Sequence, residues 1–159
     1  MQRTVLITVL ALTIATIAAA WGFQLIGGYQ PCPLCYQQRW PYYVAIVLGL
    51  LLLAATSRGN SPALLRGGLV LLGLIMLVSA GLGIHHAGIE WQWWTGPAAC
   101  SGDFTPRGGS LLPNLDRPSV VSCSEPQWRL FGLSFAGYNA VISTFIAALS
   151  LWGGFSRRA

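Results

Sequence analysis

Four long stretches without a charged side chain leave few folds open to this chain. Residues 5–26 are 22 positions with no acidic or basic side chain, and a helix rising about 1.5 Å per residue crosses the hydrocarbon of a bilayer in roughly 20 apolar residues. Residues 40–56, 67–84 and 135–152 are three further candidates, the first of them enterable from Tyr36. Only 8% of the residues are charged and 54% are hydrophobic, too few polar side chains to cover a water-facing surface. The expectation is an all-α membrane protein: a four-transmembrane-helix bundle forming one integral membrane domain over residues 1–159, with outer loops at 27–39 and 85–134.

Arg3, the apolar stretch and Ala18-Ala19-Ala20 resemble a cleavable secretion signal, but signal cores run to about 7–15 residues and this one continues through Trp21, Gly22 and Phe23. The first helix is therefore expected to be retained. Gly67, Gly68, Gly73, Gly81 and Gly83 would weaken a water-soluble helix, whereas in a membrane bundle small residues let helices approach closely. Gly49 and the Leu50–Leu53 run read as lipid-facing or core.

All nine basic residues are Arg. With four crossings, Arg3, Arg58, Arg66, Arg157 and Arg158 share one side with no acid among them, which the positive-inside rule makes cytoplasmic. The opposite side carries Arg39, Arg107, Arg117 and Arg129 with all four acids, Glu90, Asp103, Asp116 and Glu125. Both termini are thus expected in the cytoplasm and the cysteine loops outside it. The net charge of +5 is a topological signature and does not form a nucleic-acid-binding stripe.

Every cysteine, Cys32, Cys35, Cys100 and Cys123, falls in the two outer loops, on the oxidising side where disulfides persist. Four cysteines allow three connectivities. Cys32-Pro33-Leu34-Cys35 is the spacing redox enzymes use, so Cys32 pairs with Cys35 and Cys100 with Cys123. Alone, the second pair reads as a staple closing a 24-residue loop, stabilising by about 3 kcal/mol. The first closes too short a loop to stabilise much, and such a pair suits exchange. A thiolate at the mouth of the second helix is favoured by unpaired backbone N–H groups and nearby cations. If that helix begins near Cys35, Arg39 lies one turn on along the same face, although Pro41 removes a donor there. Arg39 by itself would read as a snorkelling interfacial arginine. Beside the Cys-x-x-Cys it reads as a cation able to stabilise Cys35 and donate to an acceptor's carbonyl oxygen.

Four helices, Pro31-Cys32-Pro33-Leu34-Cys35 followed by Arg39, and a second cysteine pair in a long outer loop together resemble the bacterial disulfide bond formation protein family DsbB. Glu90-Trp91-Gln92-Trp93-Trp94-Thr95-Gly96-Pro97-Ala98-Ala99-Cys100 and Phe131-Gly132-Leu133-Ser134 also resemble it, and the likeness covers essentially the whole chain. The resemblance implies a thiol:quinone oxidoreductase of the bacterial inner membrane that reoxidises a DsbA-like periplasmic dithiol oxidase and reduces ubiquinone or menaquinone. It further implies that the partner attacks Cys100, that Cys123 then attacks Cys32, and that Cys35 faces the quinone beside Arg39.

Gly96-Pro97, Pro106, Gly108-Gly109, Pro113, Pro118 and Pro126 leave little room for long regular structure in the outer loop, which suits one that must carry Cys123 to Cys32. Leu111-Leu112-Pro113 is too short to establish an interfacial helix. His85, His86 and Glu90 read first as interfacial groups ending the third helix, next as proton handlers, and last as metal ligands, since even a catalytic zinc site takes three protein ligands at suitable spacing. No metal site is expected. The tryptophans Trp40, Trp91, Trp93, Trp94 and Trp128 read first as an aromatic belt and then as walls of a quinone pocket. The competing readings are a structural membrane protein with two static disulfides, a four-cysteine metal protein, and an enzyme of the vitamin K epoxide reductase type. That last architecture usually carries its Cys-x-x-Cys later in the bundle.

Overall fold

The computed structural model describes residues 1–57, 59, 62–97 and 121–156. Cys100, Arg58, Arg107, Arg117, Arg157, Arg158 and the loop prolines 106, 113 and 118 lie outside the described residues, as do the expectations that fall on them. Among the described residues four helices make the fold: α1 (Gln2–Leu25), α2 (Pro33–Ser57), α3 (Pro62–Glu90) and α4 (Phe135–Phe155). Each is long and apolar enough to cross a membrane. Two short antiparallel strands, β1 (Arg129–Leu130) and β2 (Leu133–Ser134), precede α4.

Local chemistry sets the helix ends. Pro33 occupies the first position of α2, where its missing N–H costs nothing and its fixed φ favours entry into a helix. The Ser134 hydroxyl caps α4 by accepting from Gly137 N–H at 3.2 Å. Between β1 and β2 the two-residue turn Phe131-Gly132 has positive φ at both positions, 50° and 82°, the backbone twist a tight hairpin requires. Gln2 Nε2 donates to the Ser156 carbonyl at 3.3 Å, so the two chain ends meet at one end of the bundle. The Cys32–Cys35 pair, at the start of α2, lies at the other.

The core is a cluster of Val5, Leu6, Val9, Tyr42, Ala45, Leu52, Leu65, Leu69, Leu72, Met76, Ile146 and Ala147 from all four helices. Lipid is as apolar as these side chains, so close packing holds the helices together where water exclusion would do so in a soluble protein. At Gly83 a Cβ would stand 2.8 Å from the Ala140 backbone nitrogen, a distance only glycine permits. Gly68 and Gly73 pack as tightly, against Leu52 and Leu151, while Gly67 and Gly81 face open space, so three of the five glycines expected in packing serve it. Leu50 and Leu51 are exposed on the apolar outer face and Leu52 is buried.

Three boundaries differ from the sequence expectation. α2 starts at Pro33 instead of residue 40, taking the Cys-x-x-Cys into the helix mouth and enclosing Pro41 without a break. α3 continues past residue 84 to Glu90, which puts His85, His86 and Glu90 on a helix and not in the outer loop. The end of that loop carries the β1–β2 hairpin. At α2 the Cys32 sulfur caps the new start, and at α3 His86 is held inward by Gln38, so hydrogen bonding outweighs the loss of apolar character that marked the expected ends.

Candidate active site

Cys32 is the residue before α2, and its sulfur accepts from the Cys35 backbone N–H at 3.3 Å, three positions on. This is the N-cap geometry with sulfur in place of the usual oxygen. The two sulfurs are 2.7 Å apart and both are free thiols. His86 Nε2 approaches Cys32 Sγ at 3.7 Å. The Cys35 hydrogen bond is the main stabiliser of the Cys32 thiolate; burial opposes it, and His86 and the Cys35 backbone N–H add to it, lowering the pKa from 9.0 to about 5.

His86 is held by a chain of polar side chains running down the inside of the bundle. Asn139 Nδ2 donates to Gln38 Oε1 at 2.7 Å, which turns the Gln38 amide nitrogen toward His86 Nδ1 at 2.6 Å. Nδ1 therefore accepts and the imidazole proton sits on Nε2, the nitrogen facing Cys32 and, at 3.7 Å, Glu90 Oε1. Tyr42 O–H donates to Asn139 Oδ1 at 2.8 Å, and Ser143 joins it to Ser79 through hydroxyl contacts of 2.8 and 3.0 Å. Buried amides and hydroxyls in an apolar bundle are costly unless each finds a partner, and this chain supplies them.

Arg39 lies one turn after Cys35 but its guanidinium is seated on α1. Nη1 donates to Gln24 Oε1 at 2.7 Å, and the planar group lies 5.3 Å from the Trp21 ring and 5.4 Å from that of Tyr36. A cavity of about 330 Å³ opens between the helices, with Cys35, Arg39, His86, Glu90, Phe23 and Trp128 among its lining. Trp128 stacks on Phe135 at 4.8 Å and Phe23 meets Phe135 edge-on at 5.0 Å, forming an aromatic wall. Of the tryptophans, Trp128 thus walls the cavity, whereas Trp40, Trp91, Trp93 and Trp94 are exposed.

Cys123 is buried and its sulfur is disulfide-bonded. It packs with Cys32, Leu34 and Ile89, and Gln127 Nε2 donates to the Gln30 carbonyl at 2.8 Å, tying its segment to the loop before α2. The Cys32 and Cys123 sulfurs and a His86 ring nitrogen lie within 4.8 Å of one another. A sulfur held in a disulfide is not a thiolate ligand, so this convergence suits exchange between sulfurs better than a metal. His85 points away, stacked on Trp94 with centroids 5.9 Å apart, so His85, His86 and Glu90 do not converge as ligands.

Of the residues predicted from sequence, Cys32, Cys35 and Cys123 come together and Arg39 joins Cys35 on the cavity wall, while Cys100 lies outside the described residues. Sequence reasoning missed Gln24, Gln38, Tyr42 and Asn139. Their signal was polarity inside apolar runs, where an amide needs a partner.

The chain matches the family model described as disulfide bond formation protein DsbB over residues 2–153. It is 30% identical over 156 residues to a disulfide bond formation protein B of Albidiferax ferrireducens, covering 92% of this chain and 85% of that one. A disulfide bond formation protein B 2 of Pseudomonas syringae is 31% identical over 150 residues (88% and 81%), and a disulfide bond formation protein B of Marinobacter nauticus 28% over 144 residues (86% and 82%). No solved structure matches. A family match spanning nearly the full length joins the four-helix membrane bundle and its dithiol to one conclusion: this chain belongs to the DsbB family and is a membrane oxidoreductase of disulfide bond formation.

Proposed function

We propose that this protein is a thiol:quinone oxidoreductase that reoxidises a DsbA-like dithiol oxidase outside the cytoplasm and passes the electrons to membrane quinone. One observation carries the reading. The Cys32–Cys35 dithiol has a disulfide-bonded sulfur, Cys123, within 4.8 Å of Cys32, and Cys35 and Arg39 on the wall of a cavity of about 330 Å³. A soluble partner cannot enter lipid and an isoprenoid quinone does not leave it, so electrons need two cysteine pairs to cross between them.

The exchange proceeds by thiolate attack and keeps its electron balance. A partner thiolate attacks Cys100, breaking the Cys100–Cys123 bond and releasing Cys123 as thiolate. Cys123 attacks Cys32 in the oxidised inner pair and expels Cys35. The partner's second thiol then displaces Cys100, leaving the partner oxidised, and Cys100 attacks Cys123 to restore the outer disulfide and release Cys32. The exchange thus leaves the inner pair as free thiols and the outer pair as a disulfide.

A quinone ring fits the cavity by size and by its aromatic wall, and when bound accepts two electrons and two protons. Arg39, pinned by Gln24 and Trp21, presents a fixed cation for the negative charge that develops on the acceptor's oxygen. Cys32, stabilised as thiolate, is the better leaving group in exchange with Cys123. Arg3 and Arg66, at the end of the bundle shared by the chain termini, support by the positive-inside rule an orientation in a bacterial inner membrane with that end facing the cytoplasm and the cysteines facing the periplasm.

Purified protein mixed with reduced partner and a short-chain quinone analogue tests this by quinol absorbance. The native chain is expected to form quinol. Cys100→Ser is expected to stop it while the inner pair still slowly oxidises a small dithiol. Quinol formation from the partner that does not depend on Cys100 would contradict the relay.

A further inference from the structure

Glu90 is a buried acid beside the inner dithiol whose position sulfur exchange does not explain. Its side chain is 5% exposed, and Oε2 has no hydrogen-bond partner among the described residues. It also lines the same cavity as Cys35 and Arg39. We propose that Glu90 is the proton donor of the site, giving the quinone the proton that the Cys32–Cys35 pair lacks, while His86 holds the carboxylate left behind. The inference rests on the quinone reading above and deepens it.

The geometry supports each half. Glu90 is the last residue of α3, where the helix dipole disfavours a carboxylate, and a buried oxygen without a donor is most cheaply held as a neutral acid. The groups facing it are His86 on its own helix, Arg129 on β1, the Ser134 hydroxyl on β2 and the Cys32 sulfur before α2. His86 stands 3.7 Å from Oε1 with its proton on the facing nitrogen, fixed there by Gln38. After transfer, the new carboxylate meets that N–H and the Arg129 charge. Trp91 to Thr95, next along the chain, are exposed and give the acid access to water for reprotonation.

The proton balance leaves one proton for such a donor to supply. With Cys32 as thiolate and Cys35 as thiol, the pair holds two transferable electrons but only one proton. Forming the Cys32–Cys35 bond breaks the Cys35 S–H and sends both electrons and that proton to the quinone. The second proton leaves the Glu90 O–H, the products are disulfide and quinol, and water returns a proton to Glu90.

The test uses the full-length protein with its inner pair reduced and two oxidants: a short-chain quinone, which takes protons, and ferricyanide, which takes electrons alone. Glu90→Gln keeps the shape and removes the acid. Quinol formation at about pH 8 is expected to fall roughly a hundredfold, the scale of a positioned proton donor, while ferricyanide oxidation of the pair stays unchanged. Quinol formation unchanged in the variant, or an equal fall with both oxidants, overturns the proposal. In the native protein, an infrared carbonyl band of a protonated carboxylic acid is expected in the dithiol state and lost in Glu90→Gln. Its absence from the native protein also overturns the proposal, without reliance on the variant's folding. A native protein that reduces no quinone at all sinks the underlying function and is told apart by the wild-type control.

Discussion

The two ends of the bundle are built from opposite materials. Toward the chain termini, Leu6, Leu69 and Leu72 fill the interior, continued at mid-bundle by Met76 and Ile146, and the buried hydroxyls of Thr13 and Ser150 are satisfied within their own helices by the carbonyls of Val9 and Ile146. Toward the cysteines, the same helices turn Gln38, Tyr42, Ser79, His86, Asn139 and Ser143 inward, joined hydrogen bond to hydrogen bond. A membrane bundle does not need those groups to cohere, since helices can pack through apolar contact alone. Their concentration at one end marks where the chain holds a charged sulfur and a protonated imidazole nitrogen in fixed register. The apolar end supplies rigidity; the polar end supplies chemistry.

That contrast is open to attack by mutation, and the largest effect belongs to the sulfurs. Cys32→Ser or Cys35→Ser is expected to abolish quinol formation altogether, measured with reduced partner and quinone analogue. Next, Met76→Ala in the apolar core should cost about 2 kcal/mol or more of stability in detergent, read from thermal unfolding, with turnover of the folded fraction unchanged. A loss of turnover per folded molecule would erase the division between the ends. Arg39→His should raise the apparent KM for quinone by roughly tenfold with a smaller change in kcat, the scale of one charge-assisted hydrogen bond. Unchanged quinone kinetics would remove Arg39 from the site.

Smaller effects sharpen the picture at Cys32. Thiolate absorbance of the reduced protein should show half-ionisation near the value of about 5. The sign follows from the lowered pKa. Stabilisation of the folded dithiol state by this thiolate is complete above the ordinary value of 9.0, declines below it, and is lost as pH falls through about 5. Gln38→Leu, which frees His86 Nδ1, should shift that midpoint upward by about one unit by loosening the His86 contact. A midpoint that does not move would confine the polar chain to packing.

Much of this was legible in the residues. Uncharged run length marked all four helices, and the spacing of Cys32, Cys35 and Arg39 pointed to the candidate site, because both signals are local. What stayed hidden depended on partners distant in sequence. Gln38 and Asn139 are 101 positions apart and are a polar pair only once α2 meets α4. Gln24 lay unremarked in an apolar run until Arg39 folded onto it. The start of α2 was set too late because Cys32 caps the helix with sulfur, a device absent from the usual oxygen-bearing caps. The end of α3 was set too early because His85, His86 and Glu90 break the apolar pattern while His86 and Glu90 face inward.

The central claim is that two electrons leave the Cys32–Cys35 dithiol for a quinone held beside Cys35. An anaerobic titration of the reduced protein with a quinone analogue, counting free thiols and quinol together, tests it most directly. One quinol for each Cys32–Cys35 disulfide formed is the expected result. Thiols that persist in the presence of excess quinone, or that vanish without quinol appearing, would contradict it.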